Sequence, residues 1–306
     1  MVEKTPILDT FTYIFLLLGI LIVGFPIIYA IIAATLSIED VSRVPMPLIP
    51  GDQFLVNMQT AWDKGDLGNQ LINSFIMAAG ITIGKIIVSM LGAFSIVYFD
   101  YRFRTVAFIT VFCTLMLPVE VRILPTYEMA ANVFGPLNAL WGALHLDGVV
   151  SWIAGHEVEI NLDFSLLDSY QGLILPLVAS ATCTFLFRQF FLTIPEELCE
   201  AAKMDGASPM IFFRKILLPL SKTNIAALVV IEFVYGWNQY LWPLLITTNP
   251  KMMTAVIGLQ NLIPQADDLP YWNVALAGAL IVMLPPILVV LMMQRWFVKG
   301  LVDTEK

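Results

Sequence analysis

Charge is scarce in this sequence: of 306 residues only 13% are Asp, Glu, Lys or Arg, 58% are hydrophobic, and the mean hydropathy is +0.81. A soluble domain carries about a quarter charged residues, so there is too little polar surface here for a water-exposed globule. Basic charge is scarcer still, and the net charge of −8 leaves no basic stripe to meet phosphates, which excludes a nucleic-acid partner. The three cysteines, Cys113, Cys183 and Cys199, share no metal-ligand or redox spacing and read as packing residues. The two histidines, His145 and His156, have no tight ligand pair beside them and read as exposed loop residues, so no metal site is expected. A GxxxxGK[ST] phosphate loop is missing as well. The nearest string, Gly80-Ile-Thr-Ile-Gly84-Lys85, has the wrong spacing and lies in an apolar run, where its two glycines suit a helix-packing face. The chain is therefore expected to hydrolyse no nucleotide itself and to bind no cofactor directly.

Long apolar runs are abundant. Six emerge, at about 11–36, 71–98, 105–124, 170–190, 223–247 and 272–294. About 20 apolar residues are needed to span a bilayer as a helix, the form that satisfies every backbone group internally. A membrane barrel would show segments of about ten residues alternating in polarity, and these runs do not alternate. The fold class is therefore all-α, a polytopic membrane protein of six transmembrane helices. The third run is the weakest, because its clean apolar stretch stops at Pro118 and is followed by Glu120, Arg122 and Pro125. Prolines at 26, 176, 243, 285 and 286 fall inside other runs and predict kinks that neighbouring helices must support. The first run follows an n-region bearing Glu3, Lys4 and Asp9 and is longer than a signal-peptide core, so it reads as a retained helix.

Lysine and arginine set the expected orientation. Lys4, Arg102, Arg104, Arg188, Lys203, Arg214, Lys215, Lys222, Arg295, Lys299 and Lys306 fall on one side, and only Arg43, Lys64, Arg122 and Lys251 on the other. The richer side is read as cytosolic, with both termini on it. The organisation expected is a first helix and outer loop over 1–70, a core over 71–294 and a cytosolic tail over 295–306. The long outer loop, about 126–169, is acidic. Its stretch from Leu140 to Ile153, with Trp141 and Trp152, is suited to lie along the membrane surface.

The most informative stretch joins the fourth and fifth runs, on the cytosolic side. Thr193 with Glu196 has the spacing of a capping box, and Glu196, Glu197 and Glu200 favour the N-terminal half of the helix that follows. Asp205-Gly206 predicts its end, since glycine accepts the left-handed conformation of a C-cap. Ser208-Pro209 predicts the start of a second helix, along which Phe212, Phe213, Ile216 and Leu217 are apolar, until Pro219 closes the segment. A short, rigid helix–turn–helix results. Such a knob transmits the motion of a partner in which it is seated, whereas a loose loop absorbs it.

Glu200-Ala201-Ala202, Asp205-Gly206-Ala207, Phe213, Ile216, Leu218 and Pro219 resemble the EAA signature of binding-protein-dependent ABC importer permeases. Further stretches, Leu115 to Ile123, Phe185 to Phe191, Tyr235 to Leu244, Gln294-Arg295, Lys299 to Asp303 and Lys306, resemble one subfamily of the carbohydrate-importer branch. That subfamily is the second permease subunit of sn-glycerol-3-phosphate uptake systems. About 135–166 departs from the usual pattern as an insertion. The resemblance implies the importer-permease (MetI-like) fold and a coupling role for Glu200, Ala201, Ala202, Asp205, Gly206, Ala207 and Pro219, docked into an ATPase subunit. It implies as partners a second permease subunit, two ATPase subunits carrying ATP and Mg, and a periplasmic solute-binding protein. The cargo implied is sn-glycerol-3-phosphate or a glycerophosphodiester, with a sugar, oligosaccharide or polyol as the alternative.

Two ionisable residues, Lys85 and Glu232, lie inside apolar runs, where such groups face a bundle interior or a water-filled cavity. Lys85 suits contact with an anionic solute or pairing with an acid, and Glu232 suits structural pairing. Tyr235, Trp237, Asn238 and Tyr240 are further candidates for the path, since polar groups at that depth line a cavity or bond to neighbouring helices. An intramembrane enzyme needs a convergent nucleophile or acid pair, which the runs lack. An ion-coupled carrier predicts internal repeats, and none is evident.

Overall fold

The computed structural model describes residues 6–114, 119–144, 151, 162–263 and 271–302. His145, Trp152 and His156, half of the 135–166 insertion, the Leu115–Pro118 string and the residues after 302 lie outside that set. The described residues are helical and fall into two compact units, Met1–Leu71 with Ile257–Leu284, and Ile72–Val256 with Pro285–Lys306. Among the described residues the helices of five residues or more are, in chain order, α1 (Pro6–Thr35), α2 (Phe54–Gly65), α3 (Leu67–Tyr98), α4 (Arg104–Cys113), α5 (Val119–Ala131), α6 (Gly135–Ala143), α7 (Tyr170–Ile174) and α8 (Ala181–Leu192). Then come α9 (Glu196–Met204), the helical stretch α10 (Pro209–Leu220), α11 (Lys222–Trp237), α12 (Leu241–Ile246), α13 (Ala255–Asn261) and α14 (Trp272–Val302).

Among the described residues three helices are long and apolar enough to cross a membrane alone: the Thr10–Thr35 part of α1, α3, and the Trp272–Gln294 part of α14. Two bent pairs qualify as broken spans, Tyr170–Leu177 with α8 at 49°, and α10 with α11 at 73°. The first break has a local cause. Pro176 tightens Leu175–Leu177 into a 3-10 turn, and Ser180 then opens α8 by accepting the Cys183 amide on its side chain. Pro26, Pro285 and Pro286 remain within unbroken helices. The expected span at 105–124 is represented by α4, ten residues long and about 15 Å, and by the start of α5. Its apolar run is too short for one straight crossing of a core about 30 Å thick.

In the first unit, the last carbonyls of α1 have no partner within their own helix, and buried amides supply them. Asn57 Nδ2 donates to the Ala34 and Leu36 carbonyls at 2.9 Å each, and Asn273 Nδ2 reaches the Leu36 carbonyl at 3.2 Å and Asn57 Oδ1 at 3.0 Å. The remainder of α1 is apolar and almost wholly exposed, as suits a surface solvated by lipid.

The second unit has two apolar clusters at opposite ends of α3. Near its start, Met77 and Ile81 pack with Ile123, Leu173, Leu177, Trp242 and Ile246. Near its end, Met90, Ala93 and Phe94 pack with Cys183, Phe187 and Phe191 of α8 and with Phe212, Phe213 and Leu217 of α10. Between them Gly80 and Gly84 form the packing face expected of their spacing. A Cβ on either would lie 2.5 Å from Ile174 or 2.6 Å from Val178, so the helix break can approach α3 only over glycine.

Candidate functional site

The α9–α10 element is built by local backbone chemistry, with one departure from expectation. The Thr193–Glu196 capping box does not form. α8 runs on to Leu192, Thr193 takes helical angles as its C-cap, and its hydroxyl bonds backward to the Phe190 carbonyl at 2.7 Å. Pro195 stands at the N-cap of α9, and Glu196 and Glu197 occupy the first turn, where the helix dipole favours them. The other end matches expectation closely. Gly206 has φ +71°, the Ala207 amide donates to the Ala202 carbonyl at 2.9 Å, and the Gly206 amide donates to the Lys203 carbonyl at 3.0 Å. These are the two bonds of a Schellman motif, and Ala202 and Ala207 supply its apolar contact.

Ser208 opens α10 with extended angles and its carbonyl, which accepts the Ile211 and Phe212 amides, while its side chain makes no capping bond. Phe213–Leu217 then widens into a π turn, closed by the Leu218 amide on the Phe213 carbonyl. Pro219 accounts for the widening, because it has no N–H for the carbonyl four residues back and its ring crowds that carbonyl. The 73° bend follows at Ser221, whose buried hydroxyl donates to the Leu217 carbonyl at 2.6 Å.

The element has two distinct faces. Ala202, Phe212, Phe213 and Leu217 are buried, and Phe213 lies 5.0 Å from the Phe94 ring while Phe212 lies 5.2 Å from Tyr98. Each buried ring or Leu contributes about 1.5–3 kcal/mol to this seat. On the other face Glu200, Ala201, Asp205, Gly206 and Pro219 are exposed, Ala207 is half-buried, and Leu198, Met204, Met210 and Ile211 also reach solvent. The Met204 side chain is 83% exposed, so acids and apolar tips share one accessible face.

A cavity of about 750 Å³ lies elsewhere in the same unit, lined along α3 by Lys85, Val88, Gly92 and Ile96. Lys85 and Glu232 line it, nearly buried, with Lys85 Nζ 2.7 Å from Glu232 Oε2. The Cys183 thiol donates to the other carboxylate oxygen at 2.8 Å, and the ammonium sits 3.5 Å from the centre of the Tyr235 ring. Glu232 thus takes the structural pairing expected of it. Lys85 and Tyr235 are brought together. Trp237, Asn238 and Tyr240 do not line this cavity. Trp237 is 2% exposed and stacked on Phe233, Asn238 is an exposed C-cap that ends α11, and Tyr240 precedes α12. Asn238 and Tyr240 lie beyond α11, which stops at Trp237 instead of continuing through the 223–247 run.

Sequence reasoning missed the other polar groups of the cavity among the described residues: Arg122 from α5, Thr110 and Thr114 near the end of α4, and Ser180, Thr182 and Thr184 at the start of α8. The sequence sets Arg122 at the outer end of the weak 105–124 run, after Pro118. Its position in a membrane-adjacent helix was the available signal.

Comparison with known proteins places these features. Residues 86–303 match the family described as binding-protein-dependent transport system inner membrane component. The chain is 49% identical over the full length of both proteins to "sn-glycerol-3-phosphate transport system permease protein UgpE" of Pectobacterium atrosepticum, and 49% to the protein of that name from Salmonella choleraesuis. A third, from Yersinia pestis bv. Antiqua, is 48% identical, again over both full lengths. The family match begins one residue after Lys85 and includes Arg122, Glu232 and the whole α9–α10 element. The chain belongs to the binding-protein-dependent transport system inner membrane component family and is a multi-pass membrane permease of an ABC import system.

Proposed function

We propose that this permease carries sn-glycerol-3-phosphate or a related glycerophosphodiester inward as one half of a two-subunit pathway. The observation that carries the reading is the full-length likeness, at 49% identity, to relatives named for sn-glycerol-3-phosphate transport. In this reading α9 and α10 lie on the cytosolic side, with both termini, and their exposed face is seated on one of two ATPase subunits that hold ATP and Mg. A second permease subunit completes the pathway, and a periplasmic binding protein delivers the solute. Closure of the ATPase pair moves the element, and its aromatic seat on α3 and α8 passes that motion to the spans. The stiffness required comes from the Schellman turn, the π turn and the buried rings. The chain's own residues position and conduct; they make and break no covalent bond.

The test is reconstitution of the four kinds of subunit in proteoliposomes. ATP-dependent accumulation of sn-glycerol-3-phosphate is expected, together with co-purification of the ATPase through this chain. Glu200→Lys reverses a charge on the exposed face and is expected to lower uptake per ATP hydrolysed by about tenfold, the scale of one charge-assisted contact. Wild-type coupling in that variant removes Glu200 from the docking face, and absence of solute accumulation by the wild-type complex overturns the cargo.

A further inference from the structure

Three charged side chains line the cavity among the described residues, and they are not equivalent. Lys85 and Glu232 cancel: they are in contact at 2.7 Å, each about 5% exposed, and the carboxylate has a second donor in Cys183 while the ammonium has the Tyr235 ring. A lysine held in this way has its charge already answered. Breaking such a pair leaves a buried charge uncompensated, which costs several kcal/mol, so a passing anion would have to displace a well-bonded carboxylate to reach it. Arg122 differs. It is half-buried, it lines the same cavity, and its guanidinium has no ion-pair or hydrogen-bond partner among the described residues. Membrane-embedded cations are costly and face a cavity or a partner, and among the described residues Arg122 faces the cavity.

We propose that Arg122, rather than Lys85, is the cation that meets the phosphate group of a small phosphorylated polyol in this cavity. Lys85 and Glu232 act as a fixed internal strut between α3 and α11. The proposal rests on the reading that the cargo carries a phosphate. With the Lys85–Glu232 pair neutral overall, Arg122 gives the cavity a net charge of +1 among its described lining residues, the sign an anionic solute needs. A guanidinium presents a planar fork of N–H donors that matches two phosphate oxygens at once, which a point-charge ammonium does not. Thr110 and Thr182, lining the same cavity, have hydroxyls with no partner among the described residues, so they are free to bond the hydroxyls of a polyol. The lining residues Lys85, Val88, Gly92 and Ile96 recur on one face of α3 toward Tyr98, so the cavity follows the helix rather than forming a closed pit.

The experiment uses the complete importer in proteoliposomes, with labelled sn-glycerol-3-phosphate and a saturating amount of binding protein. Arg122→Gln is expected to cut uptake about tenfold, the loss of one charge-assisted pair, while solute-free ATP hydrolysis and subunit co-purification stay at wild-type levels. Arg122→Lys is expected to fall between the two, which a purely steric role for Arg122 does not predict. The double variant Lys85→Met with Glu232→Gln is expected to retain uptake within about threefold, because it removes both charges together. Undiminished uptake by Arg122→Gln overturns the proposal, as does loss of uptake in the double variant while the complex still assembles. If Arg122→Gln does not assemble, Arg122→Lys decides: reduced uptake supports the assignment and wild-type uptake overturns it. A wild-type importer that accumulates no phosphorylated polyol defeats the cargo reading instead, and the two failures are distinguishable.

Discussion

The two ends of α3 are held by different kinds of force. At the end nearer Tyr98, rings do most of the holding: Phe94, Tyr98, Phe187, Phe191, Phe212 and Phe213 form one cluster around α10, with the Tyr98 and Ser221 hydroxyls bonding to backbone beside it. About 30 Å away along the helix, the other end is tied by side chains that bond to backbone. Asn73 Nδ2 donates to the Lys251 and Met253 carbonyls at 2.8 and 2.9 Å, Tyr170 donates its hydroxyl to Asn73 Oδ1 at 2.7 Å, and Trp242 Nε1 donates to the Gly172 carbonyl at 3.1 Å. Gly172 permits this crowding, since a Cβ there would stand 2.1 Å from the Leu166 carbonyl oxygen. Hydrophobic contact is non-directional, so packed rings can slide slightly and stay in contact. Hydrogen bonds lose strength steeply with angle. One end is therefore built to be moved as a body, and the other to keep its loops in a single arrangement.

The largest effect expected from breaking this contrast is at Asn73, which is 1% exposed. Asn73→Ala removes the donor to the Lys251 and Met253 carbonyls and the acceptor of the Tyr170 hydroxyl, at a cost of about 1–3 kcal/mol for each group left unsatisfied. Thermal unfolding of the complex in detergent is expected to drop by many degrees. A drop no larger than that of an Asn→Ala change at an exposed position without side-chain hydrogen bonds contradicts a hydrogen-bonded clamp at this end.

A smaller and more local effect is expected at Gly206. A Cβ there meets nothing within 4 Å, so space is not the constraint; the constraint is φ +71°. Gly206→Val places a branched residue in the left-handed region, for roughly 1–2 kcal/mol, whereas Asn visits that region readily. Uptake per ATP hydrolysed is expected to fall in the order Gly, Asn, Val, with thermal unfolding lowered by only about a few degrees in the Val variant. Equal coupling in the Asn and Val variants means that the turn itself is not what transmits motion.

This contrast also explains which parts of the protein could be read from the chain. The α9–α10 element is written in consecutive residues: Gly206, Ser208-Pro209 and Pro219 each act on their own backbone, so local rules recover its ends. Even there Thr193 misleads, because whether a threonine caps the next helix or closes the previous one depends on how far α8 extends. The cavity is assembled from residues 85, 122, 180 and 232, which no local rule brings together. Lys85 and Glu232 stand out because charge is rare in apolar runs, whereas Arg122 lies after Pro118 at the end of the weakest run, where charge is unremarkable. The Asn73 clamp left no trace in the sequence, since a single asparagine near a helix start carries no pattern that names a carbonyl 178 residues away.

The smallest effect sharpens the comparison at the clamped end. Asp168 receives the Thr248 hydroxyl and the Thr248 and Asn249 amides on its carboxylate, and donates its own amide to the Ile246 carbonyl. The Thr248 hydrogen bond, followed by the Asn249 amide, holds its pKa below the ordinary value of 3.8. A group whose acid constant is lowered in the fold stabilises the fold while ionised. This contribution is therefore fully present above about pH 3.8 and is lost as pH falls through the lowered value. Asp168 also has φ +50°, a conformation Asn tolerates as well as Asp does. Asp168→Asn thus keeps the turn and removes the titration. At neutral pH it is expected to lower stability by at most about 1 kcal/mol, as suits a solvent-screened site. Between pH 4 and the acid limit of the preparation, roughly the range in which carboxylates titrate, the wild-type unfolding midpoint is expected to approach that of the variant. A constant gap across that range means that the charge on Asp168 plays no part, and that the loop is held by its backbone bonds alone.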